Sequence, residues 1–397
     1  MKKSPARLRS RILCAPGALV AAMSLAAVAA RAADDPCRVP DAPRVVAVGD
    51  VHGSYDSLVT VLRFAGILDA KGKWAGGKAH LVQTGDLLDR GKDTRKVLDL
   101  LMRLEGEARK AGGRVHALLG NHEVMNILGD LRYLNAEEYA SFRTPDSEAL
   151  RDAFLRSALE RARDNARAAG QPFDDAAFRS KFLTEVPPGL VERTQALSSQ
   201  GRYGKWLRQR PVVAKVNGVV FVHGGLTPEV AALGCEAINA QVRRELTDDV
   251  AKTKEAPLAT LAAGENGPLW YRGLAKDDES MLAPQVDQVL QSIGARAVVV
   301  GHSVTGDGRI RARFGGRVFG IDVGMGDVYG GNLAAIEVGA DGSVSALYPD
   351  RREELTPPAA AAAQISRPNS SARRSRIQTL TSQASATGSF SRGRSGM

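Results

Sequence analysis

The 397 residues carry 54 Lys and Arg against 44 Asp and Glu, a net charge of +10, with 44% hydrophobic and 25% charged side chains. That balance is ordinary for a globular chain and excludes collagen-like, coiled-coil and wholly disordered proteins. The positive excess invites a nucleic-acid or anionic-membrane reading, but it sits at the ends. Residues 1–32 and 356–397 each hold six basic side chains and no acid, which leaves residues 33–355 with a net charge of −2.

Residues 1–32 have the layout of a cleavable secretory signal. The chain is basic through Arg11, breaks at Pro16-Gly17, runs apolar from Ala18 to Ala30, and offers Ala30-Arg31-Ala32 as a small-x-small site, with cleavage expected before Ala33. The 13-residue run falls short of the roughly 20 that cross a bilayer, so no transmembrane anchor is expected and a periplasmic or secreted location follows. The mature chain would keep Cys37 and Cys235, whose spacing is compatible with one disulfide or two free thiols.

Through the body, β-branched apolar runs end repeatedly in small polar clusters. Strands are expected at residues 44–48, 80–83 and 114–119, opening onto Gly49-Asp50, Gly85-Asp86 and Gly120-Asn121. Helices are expected between them at 57–65 and 93–111, the second with Val97, Leu98, Leu101 and Leu104 at helical spacing. Residues 124–210 turn charged and Ala-rich, the pattern of an inserted helical cap. Strand-like segments resume over 212–222 around an Asn217-Gly218 turn, at 297–300, 317–321 and 333–338, the last before an Ala340-Asp341-Gly342 turn. The alternation predicts α/β layers in one sandwich-like domain over residues 33–355, with ligands at the carboxyl ends of the strands. Residues 356–397 are mostly small or polar and are expected to form a disordered basic tail, because too little apolar surface is available to offset the entropy of ordering.

Four of the six histidines follow strands directly in small-residue loops: His52 in Gly-Asp-Val-His-Gly, His122 in Gly-Asn-His-Glu, His223 in Val-His-Gly-Gly and His302 in Gly-His-Ser. His80 and His116 lie at strand beginnings and read as structural. Each motif alone could be a helix cap or a turn. Together, Asp50, His52, Asp86, Asn121, His223 and His302 form a carboxylate, amide and imidazole set suited to Mn, Fe or Zn. Six donors exceed what one catalytic ion needs. Two ions about 3.5–4 Å apart, sharing a carboxylate, would use them all and activate hydroxide for in-line attack on phosphorus. Arg90 and Arg272 supply the planar, permanently charged groups that phosphate oxygens favour.

In this order, Gly49-Asp-Val-His-Gly53, Gly85-Asp-Leu-Leu-Asp-Arg-Gly91, Gly120-Asn-His-Glu123 and His223-Gly-Gly225 resemble the calcineurin-like metallophosphoesterases of the phosphoprotein phosphatase (PPP) superfamily. Gly129-Asp-Leu-Arg-Tyr133, Tyr203-Gly-Lys-Trp-Leu-Arg208 and Gly267-Pro-Leu-Trp-Tyr-Arg-Gly273 are similar to its bacterial or Shewanella-like branch, and the resemblance covers about residues 43–340. It implies an α/β/β/α sandwich of two mixed sheets flanked by helices. It also implies that Asp50 and His52 bind one metal, Asp86 bridges, and Asn121, His223 and His302 complete the second. His122 would be the general acid, oriented by Asp89, with Arg90 and Arg272 on phosphate and Glu123 behind the ligands.

Two departures limit what carries over. Val304 stands where many wider metallophosphoesterases have the second His of Gly-His-x-His, and Gly320–Asp327 lacks the Ser-Ala-Pro-Asn-Tyr-Cys-type loop of the eukaryotic phosphatases. Substrate preference is therefore not carried over from the latter. The implied activity is hydrolysis of phosphomonoesters, on phosphoprotein Ser/Thr or Tyr residues or small phosphoesters. Hydrolysis of nucleotides or dinucleoside polyphosphates would use the same core. A non-catalytic scaffold would have lost ligands, and none is missing. No specific nucleic-acid binding is expected of the slightly acidic body.

Overall fold

A computed structural model describes residues 35–356. The expected signal peptide and the chain beyond Thr356 lie outside the described residues.

The strands are β1 (Arg44–Val48), β2 (His80–Gln83), β3 (Arg114–Ala117), β4 (Val213–Val216), β5 (Val219–Val222), β6 (Ala297–Val300), β7 (Arg311–Arg313), β8 (Val318–Gly320), β9 (Ala335–Gly339), β10 (Val344–Leu347) and β11 (Arg352–Thr356). They form two mixed sheets, a six-stranded one in the order β11-β10-β9-β1-β2-β3 and a five-stranded one in the order β4-β5-β6-β8-β7. The strands β1, β2 and β3 run parallel, with Val46 opposite Leu81 and Leu81 opposite Val115. In the second sheet β5, β6 and β8 run parallel.

The alternation of side chains explains why these strands read as continuous apolar runs. Val45 and Ala47 of β1, Val219 and Phe221 of β5, Ala297 and Val299 of β6 and Phe319 of β8 meet in a core between the sheets. Their neighbours Val46, Val48, Val220, Val222, Val298 and Val300 point the other way, into the larger core under the helices. A strand covered on both faces needs no polar face, so the period of two vanishes from its sequence. The β4–β5 hairpin turns at Asn217 and Gly218, both at positive φ (50° and 71°), the backbone that a two-residue turn of this hand requires.

Helices α1 (Tyr55–Phe64) and α2 (Thr94–Lys110) connect the first strands. On α2, Val97, Leu98, Leu101, Leu104 and Ala108 are buried, the three-and-four spacing of an apolar stripe. Between β3 and β4 the chain is helical: α3 (Asn121–Leu128), α4 (Ala136–Ser141), α5 (Ser147–Ala168), α6 (Asp175–Glu185), α7 (Leu190–Leu197) and α8 (Arg202–Leu207). After β5 come α9 (Pro228–Ala232), α10 (Cys235–Leu246), α11 (Val250–Glu255), α12 (Gly273–Lys276) and α13 (Glu279–Ile293). Asp278 caps α13 by accepting from the amides of Ser280 and Met281, and Gly294 closes it in the left-handed conformation at φ 64°. None of the described helices is long and apolar enough to cross a membrane.

The structure differs from the sequence reading at the C-terminal side of the body. Thr356, assigned by composition to the tail, belongs to β11, and β7 and β10 were not anticipated. Strand β11 is an edge of mostly polar residues, none of them fully buried, held by its ladder to β10 and by an Arg352–Glu337 ion pair at 2.7 Å. Its order therefore comes from pairing rather than from hydrophobic pattern. Cys37 and Cys235 are joined in a disulfide with Cα atoms 5.8 Å apart, across 198 positions of sequence, which ties the segment before β1 to the start of α10.

His80 and His116 lie side by side on neighbouring strands, with His80 Nδ1 3.1 Å from His116 Nε2. Burial, helped by His80 and Arg114, pushes His116 down to about 3. The folded protein thus refuses a proton that the unfolded chain accepts below about pH 6.5, so stability falls as pH drops from there toward 3. In denaturant titrations across pH 4.5–7.5, His116→Leu is expected to flatten the acid loss of stability by up to about 1.4 kcal/mol per pH unit. A profile parallel to the unsubstituted protein would contradict this.

Candidate active site

All the polar clusters lie where strands end. Asp50 and His52 follow β1, Asp86 and Asp89 follow β2, Asn121 and His122 open α3 after β3, His223 follows β5, His302 follows β6 and Asp322 follows β8. Because the parallel strands of the two sheets point the same way, their carboxyl ends deliver these side chains into one buried pocket. The delivery is strained. Of the eight described non-glycine residues at positive φ, five are here: His52 (47°), Asp86 (56°), Asp89 (67°), Arg90 (69°) and His302 (62°). Such backbone persists only where surrounding contacts over-determine it, and it gathers at functional sites. Gly120 is required for a simpler reason, since a Cβ there would collide with the Asp86 carboxylate.

Two overlapping sets of donors emerge. The ligand atoms of His52, Asp86 and His122 lie within 4.8 Å of one another, and so do those of Asp86, His223 and His302. Asp86 belongs to both. Its Oδ2 faces His52 Nε2 at 3.6 Å, and its Oδ1 faces His223 Nε2 at 3.4 Å. Asn121 Oδ1 joins the second set, 2.8 Å from His223 Nε2. Asp50 stands at the back of the same pocket, accepting from the His302 amide at 3.1 Å and lying 3.9 Å from His223 Nδ1. Neither close set includes it.

These residues fit metal ions. His223 donates from Nδ1 to the Thr84 carbonyl at 3.0 Å, so in the neutral ring Nε2 is a bare lone pair. That lone pair points at Asn121 Oδ1 and Asp86 Oδ1, which are also acceptors, and a metal cation among them would satisfy all three. His52 is arranged in the same way, with Nδ1 donating to the Leu88 carbonyl at 3.0 Å and Nε2 turned inward. The buried His302 Nε2 has no hydrogen-bond partner. Burial holds His52 down to about 4, and burial with the neighbouring His223 holds His302 down to about 2, so both rings are neutral and able to ligate. Burial and the neighbouring Asp322 and Asp86 push Asp50 well above the usual carboxylate range. Burial opposes ionisation of Asp86 too, but the imidazoles of His223, His122 and His52 outweigh it and keep that carboxyl well below its ordinary value.

His122 differs from the other histidines. Its Nδ1 donates to Asp89 Oδ2 at 2.6 Å, leaving Nε2 toward the pocket 3.9 Å from Asp86 Oδ2. Burial lowers the affinity of this ring for a proton, but Asp86 and Asp89 outweigh burial and raise it above the ordinary value. Arg90 lies at the mouth, its guanidinium 3.9 Å over the Tyr133 ring and its buried Nε without a partner. Arg272 approaches from the other side and donates to the His302 carbonyl and to Ser303 Oγ at 3.1 Å. A cavity of about 460 Å³ opens beside His52 and Arg90.

Several contributors escaped the sequence reading. Asp322 sits beside Asp50 and receives the Gly324 amide at 3.1 Å. Tyr133 and Tyr329 wall the entrance, their rings 5.0 Å from His122 and 5.4 Å from His52. Tyr133 lies inside a quoted motif and could have been singled out there. Asp322 lies in the region that departs from the eukaryotic pattern and Tyr329 just beyond it, and neither carried a signal.

Glu123, fully buried, is the fastening between two of the loops. Its Oε2 accepts from the amides of Asp86 (2.8 Å) and Gly120 (2.7 Å), and its Oε1 from those of Leu87 (2.8 Å) and Leu88 (3.1 Å). Four donors converging on two oxygens leave no place for an NH₂ group. Glu123→Gln is therefore expected to cost roughly 2–4 kcal/mol of stability in chemical denaturation, with weaker metal uptake in titration. A variant of native stability and native metal affinity would refute this account of the loops.

Comparison with known proteins agrees with this geometry. The model of the calcineurin-like phosphoesterase family matches residues 43–306. The chain is 32% identical over 288 residues to Shewanella-like protein phosphatase 2 of Arabidopsis thaliana, covering 71% of each chain. It is 27% identical over 285 residues to Shewanella-like protein phosphatase 1 of Plasmodium berghei, covering 71% of this chain and 67% of that one. Among solved structures, a cold-active protein-tyrosine phosphatase of a psychrophilic Shewanella species superposes with a TM-score of 0.60 at 27% identity, over 82% of this chain and 85% of that one. The chain belongs to the calcineurin-like phosphoesterases and is a metal-dependent phosphoester hydrolase of the Shewanella-like protein phosphatase type.

Proposed function

We propose that this chain is an exported phosphatase that uses two metal ions to hydrolyse phosphomonoesters on phosphoprotein side chains. The observation that carries the reading is the straddling position of Asp86 between two donor sets, with the His122–Asp89 pair beside it. Asp50, His52 and Asp86 would hold one ion, and Asp86, Asn121, His223 and His302 the other, as Mn, Fe or Zn. Bound there, the ions supply the Lewis acidity that makes water a nucleophile at neutral pH.

The chain's own groups do the rest. Arg90 and Arg272, neither paired with a carboxylate among the described residues, take up phosphate oxygens and stabilise the charge that gathers on them in the transition state. As the water oxygen bonds to phosphorus and the bond to the leaving oxygen breaks, His122 gives its Nε2 proton to that oxygen, releasing the alcohol or phenol and inorganic phosphate. Asp89 fixes the ring so that Nε2 faces the pocket. The tyrosine phosphatase named for the superposed Shewanella structure and the protein phosphatases among the relatives support a phosphoprotein substrate. The Cys37–Cys235 disulfide supports export, because such bonds persist in oxidising compartments.

Metal analysis of the mature protein is expected to find two ions per chain. His122→Ala is expected to keep both while kcat on phosphopeptides falls by about 10²-fold or more. Loss of metal with His122 would make it a ligand and overturn its role as acid. A panel of phosphoserine and phosphotyrosine peptides against dinucleoside tetraphosphate tests the substrate class, and preferential turnover of the dinucleotide would replace the phosphoprotein reading.

A further inference from the structure

The largest fully buried side chain among the described residues is a charged one, Arg193 on α7, 1% exposed. A buried guanidinium is costly unless every direction of its fork is answered. Arg193 donates from Nε to Glu138 Oε1 of α4 at 2.8 Å and from Nη2 to Asn126 Oδ1 of α3 at 2.8 Å, and its Nη2 lies 3.6 Å from Asp89 Oδ1. Asn126 in turn donates from Nδ2 to both Asp89 oxygens at 3.0 Å and to the His122 carbonyl at 2.9 Å. Asp89 and Glu138 are completely buried. The chain of contacts thus runs from two helices of the segment between β3 and β4 through an amide to the carboxylate that grips His122.

We propose that Arg193 is a positioning residue for proton delivery. It locks the Asp89 carboxylate, directly and through Asn126, into the one orientation that aims His122 Nε2 at the leaving oxygen. The proposal rests on the phosphatase reading above and adds to it a role for a residue more than 65 positions away from Asn126 in sequence. A carboxylate held only by the imidazole could rotate about its own side-chain bonds, and the ring would rotate with it. With Asn126 facing both oxygens and the guanidinium behind, that freedom is gone. Glu138 balances the guanidinium's charge, so the clamp is close to neutral and adds little net field at the metal loops.

The test exploits leaving-group chemistry. An alkoxide such as the serine side chain is too basic to depart without a proton, whereas p-nitrophenolate departs readily without one. With metal-loaded protein, Arg193→Met is expected to lower kcat on a phosphoserine peptide by about 10- to 100-fold, a share of the 10²–10⁴ that general acids contribute. On p-nitrophenyl phosphate the loss should stay below about three-fold, with KM on both substrates within about two-fold and metal content unchanged. A purely structural role would lower both substrates together. Arg193→Met leaves Glu138 buried without its partner, so the pair Arg193→Met with Glu138→Gln, and separately Asn126→Ala, must show the same contrast. Equal losses on the two substrates, or no loss on either, in folded and metal-loaded variants would overturn the proposal. Unsubstituted protein that hydrolyses neither substrate would instead overturn the phosphatase reading itself.

Discussion

The constraint on which the rest depends is electrostatic. Asp50, Asp86, Asp89, Glu123 and Asp322 are all at most 4% exposed and converge where the strands end, together with inward-facing imidazole lone pairs. Burying so much acceptor character without compensation is prohibitive. Three kinds of compensation are visible. Backbone amides answer Glu123, a buried guanidinium with an amide answers Asp89, and the inward-facing remainder is the donor set that metal ions would answer. The fold can be understood as the scaffold that makes this convergence possible. Two sheets whose parallel strands point the same way bring six chain segments to one place, and the apolar core between them, with Phe221 and Phe319 at its centre, keeps the strand ends in register.

The same constraint explains the local backbone. Side chains must leave the strand ends at angles that ordinary extended or helical conformations do not offer, so His52, Asp86, Asp89, Arg90 and His302 adopt positive φ. That strain, of order 1–3 kcal/mol per residue, is affordable because the loops are bolted to one another by buried hydrogen bonds. The amides of Val51 and His52 bond to the Asp86 carbonyl and that of Gly53 to the Leu87 carbonyl, all at 2.9 Å, and Glu123 then fastens the second loop to the third. Rigidity here is a property of loops tied crosswise, not of the regular elements beneath them.

Much of this was legible in the sequence because the chemistry is local. A strand followed by Gly-Asp-x-His or Gly-Asn-His-Glu announces both its end and its ligand within a few residues, and β6 was read to the residue because an unbroken Ala-Val-Val-Val run admits little else. What escaped depends on contacts distant in the chain. Strand β11 is polar and exists by pairing. Asp322 acquires meaning only beside Asp50, and Arg193, flanked by Glu192 and Thr194 in a short helix, looks like a solvated surface residue until the helices are packed. The choice between a disulfide and free thiols was open for the same reason, since 198 intervening positions say nothing about the 5.8 Å between Cα atoms.

The buried arginine also bears on how the helical segment is fastened to the strand ends. The candidate metal donors stand at the strand ends, with Asn121 at the start of α3, and the segment between β3 and β4 supplies several groups around the His122–Asp89 pair and the entrance, where Tyr329 joins from beyond β8. Tyr133 stacks on Arg90, Asn135 donates to the Arg90 carbonyl at 2.7 Å, and Glu138 and Arg193 stand behind Asp89. Helices α5 and α6, by contrast, are largely exposed. The inner part of the helical segment is therefore tied by hydrogen bonds to the strand-end residues around Arg90 and Asp89. Of its two outer helices, α6 buries no side chain, whereas α5 reaches the inner part through Ser147, whose hydroxyl meets the Glu192 carboxylate one position before Arg193.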